Sequence, residues 1–191
     1  YENIGDLLCY PSIGAIGKPV DLAIVIIPAR AVLGALQDCA AAGVKNAIII
    51  SSGFAEEGGE SADMQAEIAE LAKRTGMRIS GPNAEGFYNE PRRIAATFSP
   101  TVDVKPDSPR LLATPRRVGI IAQSGGIGFA IYNRAKAMGV AVSNVISTGN
   151  ESDLAAGEFL DYMAQDANTD VILMFIEGIR DPQMFVAAAQ R

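Results

Sequence analysis

Short, unbroken apolar runs alternate along this chain with longer stretches in which apolar residues recur every three or four positions. The runs Leu22–Ile27, Ala47–Ile50, Val118–Ala122 and Val171–Ile176 have the length and the Val/Ile content of buried strands, and Arg78–Ser80 and Val142–Ser147 read as two further strands. Between them, Ala31–Ala42, Ala62–Thr75, Ile127–Met138 and Leu154–Met163 carry helical spacing. Gly43 and Gly76 stand where the first two helices should stop. Asp181-Pro182 predicts a further helix, with Asp as N-cap and proline in the first turn. Strands that read as continuous apolar runs belong to parallel sheets covered by helices.

The pattern breaks once. Between the third strand and Val118 lie Pro91, Pro100, Pro106, Pro109 and Pro115, with neither period sustained. The expected fold is therefore α/β, with two doubly wound parallel-sheet domains. The first spans residues 1–98, a Pro-rich linker follows over 99–116, and the second spans 117–191.

The sharpest local signal is Val118–Ala130. An apolar strand ends at Gln123, Ser124-Gly125-Gly126 turns, and helical spacing begins. A helix that starts on such a turn exposes unpaired N–H groups and the positive end of its dipole, a setting suited to an anion. An ordinary βα turn with a Ser-Gly cap would read the same. Ligands in open parallel sheets sit beyond the carboxyl ends of the strands. At those ends the second half offers Gln123–Gly126, Thr148-Gly149-Asn150 and Glu177-Gly178; the first half offers Pro28, Ser51-Ser52-Gly53 and Gly81-Pro82-Asn83. Several have plainer explanations: Gly-Pro-Asn is a turn signal in any context, the serines would cap a turn, and Glu177 would serve as a solvated loop carboxylate. A carboxylate beside an anion site is unfavourable unless a proton-bearing group lies between them; an imidazole supplied from outside the chain would be one.

Composition narrows the chemistry. The 191 residues contain no histidine, which excludes a Ser-His-Asp triad, a histidine base and a His-ligated metal within this chain. Ser124 has neither the context nor a base to act as a nucleophile. A net charge of −6 argues against nucleic-acid or anionic-membrane surfaces, and no apolar run is long enough to span a bilayer. Cys9 and Cys39 form no disulfide framework or metal spacing; Cys39 shares a helix face with Val32, Leu33 and Leu36. This usage suits a cytoplasmic setting.

Six segments, in order, resemble the NDP-forming acyl-CoA synthetases, relatives of the succinyl-CoA synthetase α-subunit. They are Val20–Pro28, Ile50-Ser51-Ser52-Gly53-Phe54, Gly81-Pro82-Asn83, Ser124-Gly125-Gly126, Ser147-Thr148-Gly149-Asn150 and Phe175-Ile176-Glu177-Gly178-Ile179. The resemblance implies a Rossmann-like CoA-binding domain followed by a flavodoxin-like, succinyl-CoA-ligase-like domain. The implied reaction interconverts acyl-CoA, NDP and phosphate with a carboxylic acid, CoA and NTP, by way of an acyl phosphate and a phosphohistidine. It implies that Pro28, Ser51, Ser52, Gly53, Gly81, Pro82 and Asn83 line the CoA site. Ser124, Gly125, Gly126, Gly149 and Asn150 would hold the phosphoryl group, and Glu177 would pair with the catalytic histidine. The histidine segment would follow Arg191, the first Gly-rich turn would precede Tyr1, and ATP or ADP with Mg would occupy an ATP-grasp module in cis or on another subunit. No metal is expected in this chain. One departure bears on the acyl substrate: Ala84-Glu85 follows Gly-Pro-Asn where the family commonly has Cys. The competing readings are a non-catalytic CoA or acyl-CoA sensor fused to an acetyltransferase, and a nicotinamide-dependent oxidoreductase. The latter lacks a G-x-G-x-x-G with a following acidic residue. Exposed apolar helix faces are compatible with a homo-oligomer without fixing its stoichiometry.

Overall fold

The computed structural model describes residues 2–102 and 116–191; most of the expected linker, 103–115, lies outside them. A two-residue hairpin, β1 (Asn3–Ile4) with β2 (Leu7–Leu8), and a 3-10 turn over Ile13–Ile16 precede the first sheet. That sheet contains β3 (Leu22–Val25), β4 (Asn46–Ile49) and β5 (Arg78–Ser80), all parallel and in the order β3-β4-β5. The connections are α1 (Ala29–Ala41) and α2 (Glu60–Thr75).

Side chains alternate across a strand, so each one divides its residues between two faces. Val25, Ala47, Ile49 and Ile79 point to the helix side. There they join Val32, Leu36 and Cys39 of α1 and Ile68, Leu71 and Ala72 of α2 in one buried cluster. Both helices therefore cover the same face. A strand order that advances in one direction requires this when crossovers are right-handed. Cys39 is a core residue, and burial, then the charge of Asp38, push its thiol pKa up. Helix α2 suits its own dipole, with Glu60 and Asp63 in its first turn and Lys73 and Arg74 in its last. Gly76 closes it through a backbone bond to Ala72 O.

The second sheet has the order β10-β8-β9-β6-β7. Its parallel centre is β8 (Arg117–Ala122), β9 (Ala141–Ser147) and β10 (Val171–Phe175). Here helices lie on both faces. Helix α3 (Gly125–Ala137) packs Phe129 and Tyr132 against Ile120, Val142 and Val145. On the other face, α4 (Ala156–Ala164) and α5 (Pro182–Ala189) pack Leu160, Met163 and Ala188 against Ile121 and Ile146. As its sequence predicts, α5 begins on Asp181, whose carboxylate accepts from Met184 N at 2.9 Å.

Two strands went unread in the sequence. β6 (Gly86–Asn89) and β7 (Ile94–Thr97) form a hairpin added antiparallel to β9. Residues 86–97, expected in the first domain, thus extend the second sheet. Each strand has only four residues, too few for a period to emerge, and the pairing is anchored by contacts distant in sequence. Tyr88 meets Tyr132 edge-on with ring centroids 5.7 Å apart, and Asn89 Nδ2 donates to Asn144 Oδ1 at 2.7 Å. The neighbouring β9 is buried along its whole length, and its polar residues are satisfied: Asn144 also donates to Asp166, and Ser143 bonds to Thr169.

The two sheets are stitched together by backbone. Asn150, Ser152 and Leu154 donate in turn to the carbonyls of Pro82, Gly81 and Ile79, at 2.8 to 3.0 Å. Asp153 accepts from Ile79 N and from Arg78. Helix α4 begins at Ala156, two residues after the expected Leu154, with Ala155 as an extended N-cap whose N–H donates to Glu158 Oε2 at 2.9 Å.

Candidate functional site

Strands β8 and β10 are neighbours, yet the chain leaves them toward opposite faces, into α3 and α5. Where connections diverge in this way a crevice opens beyond the carboxyl ends of the strands. A cleft of about 780 Å³ lies there, and residues from the first sheet close its far wall.

The cleft brings together eight of the residues singled out from the sequence. Glu177, Ser124, Gly125, Gly126, Gly149 and Asn150 come from the second sheet; Ser52 and Asn83 come from the first. Five others do not line it. Pro28 caps α1. Ser51 ties strand ends together, its Oγ donating to Ile27 O at 2.6 Å and accepting from Ile27 N at 3.0 Å. Gly53 N donates to Glu56 Oε1 at 2.7 Å. Gly81 and Pro82 form the seam, and a Cβ on Gly81 would strike Ile49 O.

The amino end of α3 has the features of an anion cradle. Gly128 N is the first to bond back within the helix, to Ser124 O, so the preceding N–H groups have no intrahelical acceptor. The Ser124 hydroxyl does not cap the helix. The two glycines differ. A Cβ on Gly126 would meet nothing within 4 Å, whereas one on Gly125 would lie 2.5 Å from Glu85 Cβ and 2.9 Å from Glu85 Oε2. Gly126 thus faces open space, and Gly125 makes room for Glu85.

Gly149 and Asn150 line the cleft, and both also join the two sheets. Gly149 has φ +61°, and a Cβ there would collide with Pro82 O and lie 2.9 Å from Ala84 N. The residue must be glycine for the two sheets to meet. The Asn150 side chain is spent within the protein. Its Nδ2 donates to Glu56 Oε2 and, at 2.9 Å, to Gln65 Oε1, while its Oδ1 accepts from Asn83 at 3.3 Å. With both amide hydrogens engaged, Asn150 bridges the sheets and has no donor left for a phosphoryl group.

The charge in the cleft is lopsided. Among the described residues lining it, Glu56, Glu85, Glu151 and Glu177 face a single cation, Arg180. Burial alone would raise the Glu56 pKa. Hydrogen bonds from Asn150 and from backbone N–H groups, Gly53 among them, outweigh it and hold the pKa below the ordinary value. Glu177 is exposed at the mouth, and among the described residues its carboxylate has no hydrogen-bond or salt-bridge partner. Its backbone is fixed instead: Gln123 Oε1 accepts from Glu177 N at 2.5 Å and from Gly178 N at 3.0 Å.

Sequence reasoning passed over Gln123 as a structural element and over Glu56, Glu151 and Arg180 altogether, and it noted Glu85 only as a departure after Gly-Pro-Asn. Gln123 at a strand end beside a Gly-rich turn carried some signal. Glu151 carried none, because its burial depends on Thr148, Gln123 and α4 converging in space.

A helix start with unpaired N–H groups, an unpartnered carboxylate at the switch point and a second sheet closing the cleft define a ligand-binding α/β protein. Comparison with known proteins makes this specific. Residues 1–90 match the CoA binding domain family, and residues 115–191 match the succinyl-CoA ligase like flavodoxin domain family. The chain is 37% identical over 190 residues to acetate–CoA ligase [ADP-forming] I of Archaeoglobus fulgidus, covering 100% of this chain and 26% of that protein. It is 36% identical over 181 residues to the α subunit of acetate–CoA ligase [ADP-forming] I of Pyrococcus furiosus, covering 95% of this chain and 37% of that one. Among solved structures, it superposes with a TM-score of 0.85 at 34% identity on the dinucleotide forming acetyl-coenzyme A synthetase 1 of Ca. Korarchaeum cryptofilum in complex with phosphate and ADP. That match covers 100% of this chain and 39% of the other. The chain belongs to the NDP-forming acyl-CoA synthetase family and corresponds to the α-subunit region of its ADP-forming members. It spans about a quarter to two fifths of the length of these relatives.

Proposed function

We propose that this chain supplies the CoA-binding and phosphoryl-accepting part of an ADP-forming acid–CoA ligase. The overall reaction is acyl-CoA, phosphate and ADP to carboxylic acid, CoA and ATP, through an acyl phosphate and a phosphohistidine. The observation that carries this reading is the meeting, in one cleft, of the α3 amino end, the unpartnered Glu177 and the ends of the first sheet. In it, CoA lies along the first-sheet ends with Ser52 and Asn83 within its reach. The acyl group is that of a small acid, acetate being the acid named for the two relatives above.

Each residue then has a task that its chemistry permits. Backbone N–H groups at Gly125–Ile127, aided by the Ser124 hydroxyl and Arg180, bind the phosphoryl oxygens where the helix dipole favours negative charge. Glu177 accepts the N–H of an imidazole brought in from outside residues 1–191. This fixes its tautomer and raises the nucleophilicity of its other nitrogen toward phosphorus. The imidazole is also the proton-bearing group that separates the Glu177 carboxylate from the anion. ADP and Mg bind in an ATP-grasp module in cis or on a partner subunit, and the assembly works in the cytoplasm. No helix among the described residues is long and apolar enough to cross a membrane.

Calorimetric titration of the chain with CoA and, in parallel, with NADH tests the reading. Binding of CoA alone is the expected result, and binding of NADH alone overturns it in favour of an oxidoreductase. In the full-length protein, acyl-CoA plus phosphate must label a histidine. A protein that binds CoA yet never becomes phosphorylated is a sensor.

A further inference from the structure

Glu151 sits at the base of the cleft in an unfavourable state that nothing in the fold alone requires. It is 1% exposed, its backbone adopts φ +60° without being glycine, and its Oε2 is buried with no hydrogen-bond partner. Each feature costs stability, and such costs gather where function holds a residue in place. The other oxygen is fully committed. Oε1 accepts from Thr148 Oγ1 at 2.8 Å, from Ala156 N at 3.1 Å and from Gln123 Nε2 at 3.0 Å. The first two bonds anchor the carboxyl group at the amino end of α4, where the dipole favours it.

The third bond reaches the site. An amide held from both ends cannot turn over. The Gln123 NH₂ donates to Glu151 and, at 2.6 Å, to Gly178 O, so its carbonyl is forced toward the N–H groups of Glu177 and Gly178. We propose that Glu151 is a positioning residue for Glu177, acting through Gln123. The buried carboxyl sets the orientation of the amide, and the amide sets the backbone from which the Glu177 side chain enters the cleft. The inference rests on the phosphoryl-transfer reading for its kinetic consequence, but not for its structural one.

The test has two arms. In the first, amide hydrogen exchange is followed on this chain. Glu177 and Gly178 should be protected in the wild type and in Glu151→Gln, whose carbonyl can take the same three donors, and should lose protection in Glu151→Ala and Gln123→Leu. Gln123 is only half-buried, so Gln123→Leu keeps the test open should Glu151→Ala fail to fold. In the second arm, phosphohistidine formation in the full-length protein should slow about 100-fold in Glu151→Ala and Gln123→Leu, the scale of a misplaced reacting group. CoA affinity should not change, and Glu151→Gln should restore the rate. The double variant Glu151→Ala/Gln123→Leu should be no slower than Gln123→Leu alone, because the two residues act in series. Unchanged protection and rate in Glu151→Ala, a Gln variant as slow as the Ala variant, or losses that multiply would each overturn the proposal. Loss of protection in a protein whose wild type never labels a histidine would uphold the positioning and overturn only the reaction.

Discussion

The two sheets meet the same cleft with their carboxyl ends, but they use those ends differently. At the second sheet the strand ends diverge, and the turn after β8 leaves N–H groups and a glycine facing open space. At the first sheet the strands advance in one direction, and most of the turn residues are drawn into contacts with β4, with Glu56 or with the segment 150–154. In the proposed reading the second-sheet edge takes the phosphoryl group, while the first-sheet edge braces it and offers Ser52 and Asn83 to CoA. Gly-rich turns that look alike along the chain are thus separated by the direction in which the next connection leaves.

The comparison breaks most visibly at Glu177. In the full-length protein, Glu177→Gln should slow phosphohistidine formation by about 10²–10⁴-fold, the range of a lost general acid–base or orienting group, with CoA affinity nearly unchanged. A large loss of CoA binding would remove the assigned role.

The glycines come next, because the seam and the cradle predict opposite consequences. Gly149→Ala forces a methyl against Pro82 at φ +61° and should cost about 3 kcal/mol or more, read as a lowered urea midpoint. Gly126→Ala meets open space, so it should leave the midpoint close to that of the wild type while weakening phosphate binding measured by calorimetry. Gly125→Val meets Glu85 first and should obstruct the cradle by displacing that side chain. Phosphorylation that survives Gly125→Val would count against the cradle.

Asn150→Ala should cost about 1–3 kcal/mol, because it strips Glu56, Gln65 and Asn83 of their shared partner. It also carries a pH signature. The Glu56 pKa is depressed in the folded protein, so its contribution is present above the unfolded carboxylate value, about 4, and is lost as pH falls through the lower folded value. Removing Asn150 raises the folded value, so the variant should lose less stability on acidification than the wild type does. Equal acid sensitivity in denaturation at neutral and low pH would place the Glu56 effect elsewhere. The smallest change is Asp181→Ala, which removes the α5 cap and should cost about 1 kcal/mol, seen as a small shift in thermal midpoint.

Much of the fold could be read from residue order. The predicted strands and the α1, α2, α3 and α5 boundaries fall within a few residues of the observed ones, since apolar runs and helical spacing are local properties, but β3 and β10 are only partly buried. The site was partly legible for the same reason. Ser124–Gly126 and Glu177 stand at strand ends, and strand ends are where parallel sheets bind. Residues Asn150, Gly149, Gly81 and Ser51 were legible as belonging to the region but not in their tasks, because a side chain's task depends on what it meets across the seam. Glu151 was not legible at all, because three donors from separate elements bury it; Glu85 was noted after Gly-Pro-Asn but not in its place, since it packs against a glycine forty residues later in the chain.

The sequence by itself determined the parallel α/β class, the absence of histidine chemistry within the chain, the Gly-rich turn that opens a helix after Ser124 and the family to which these features point. Only the tertiary structure decided that residues 86–97 extend the second sheet, that both first-sheet helices share one face, and which polar groups remain free at the cleft. The physical reason is range. Periodicity and turn chemistry act over a few residues, whereas strand pairing, the satisfaction of buried polar groups and the room left for a Cβ are settled between segments that meet only after the chain has folded.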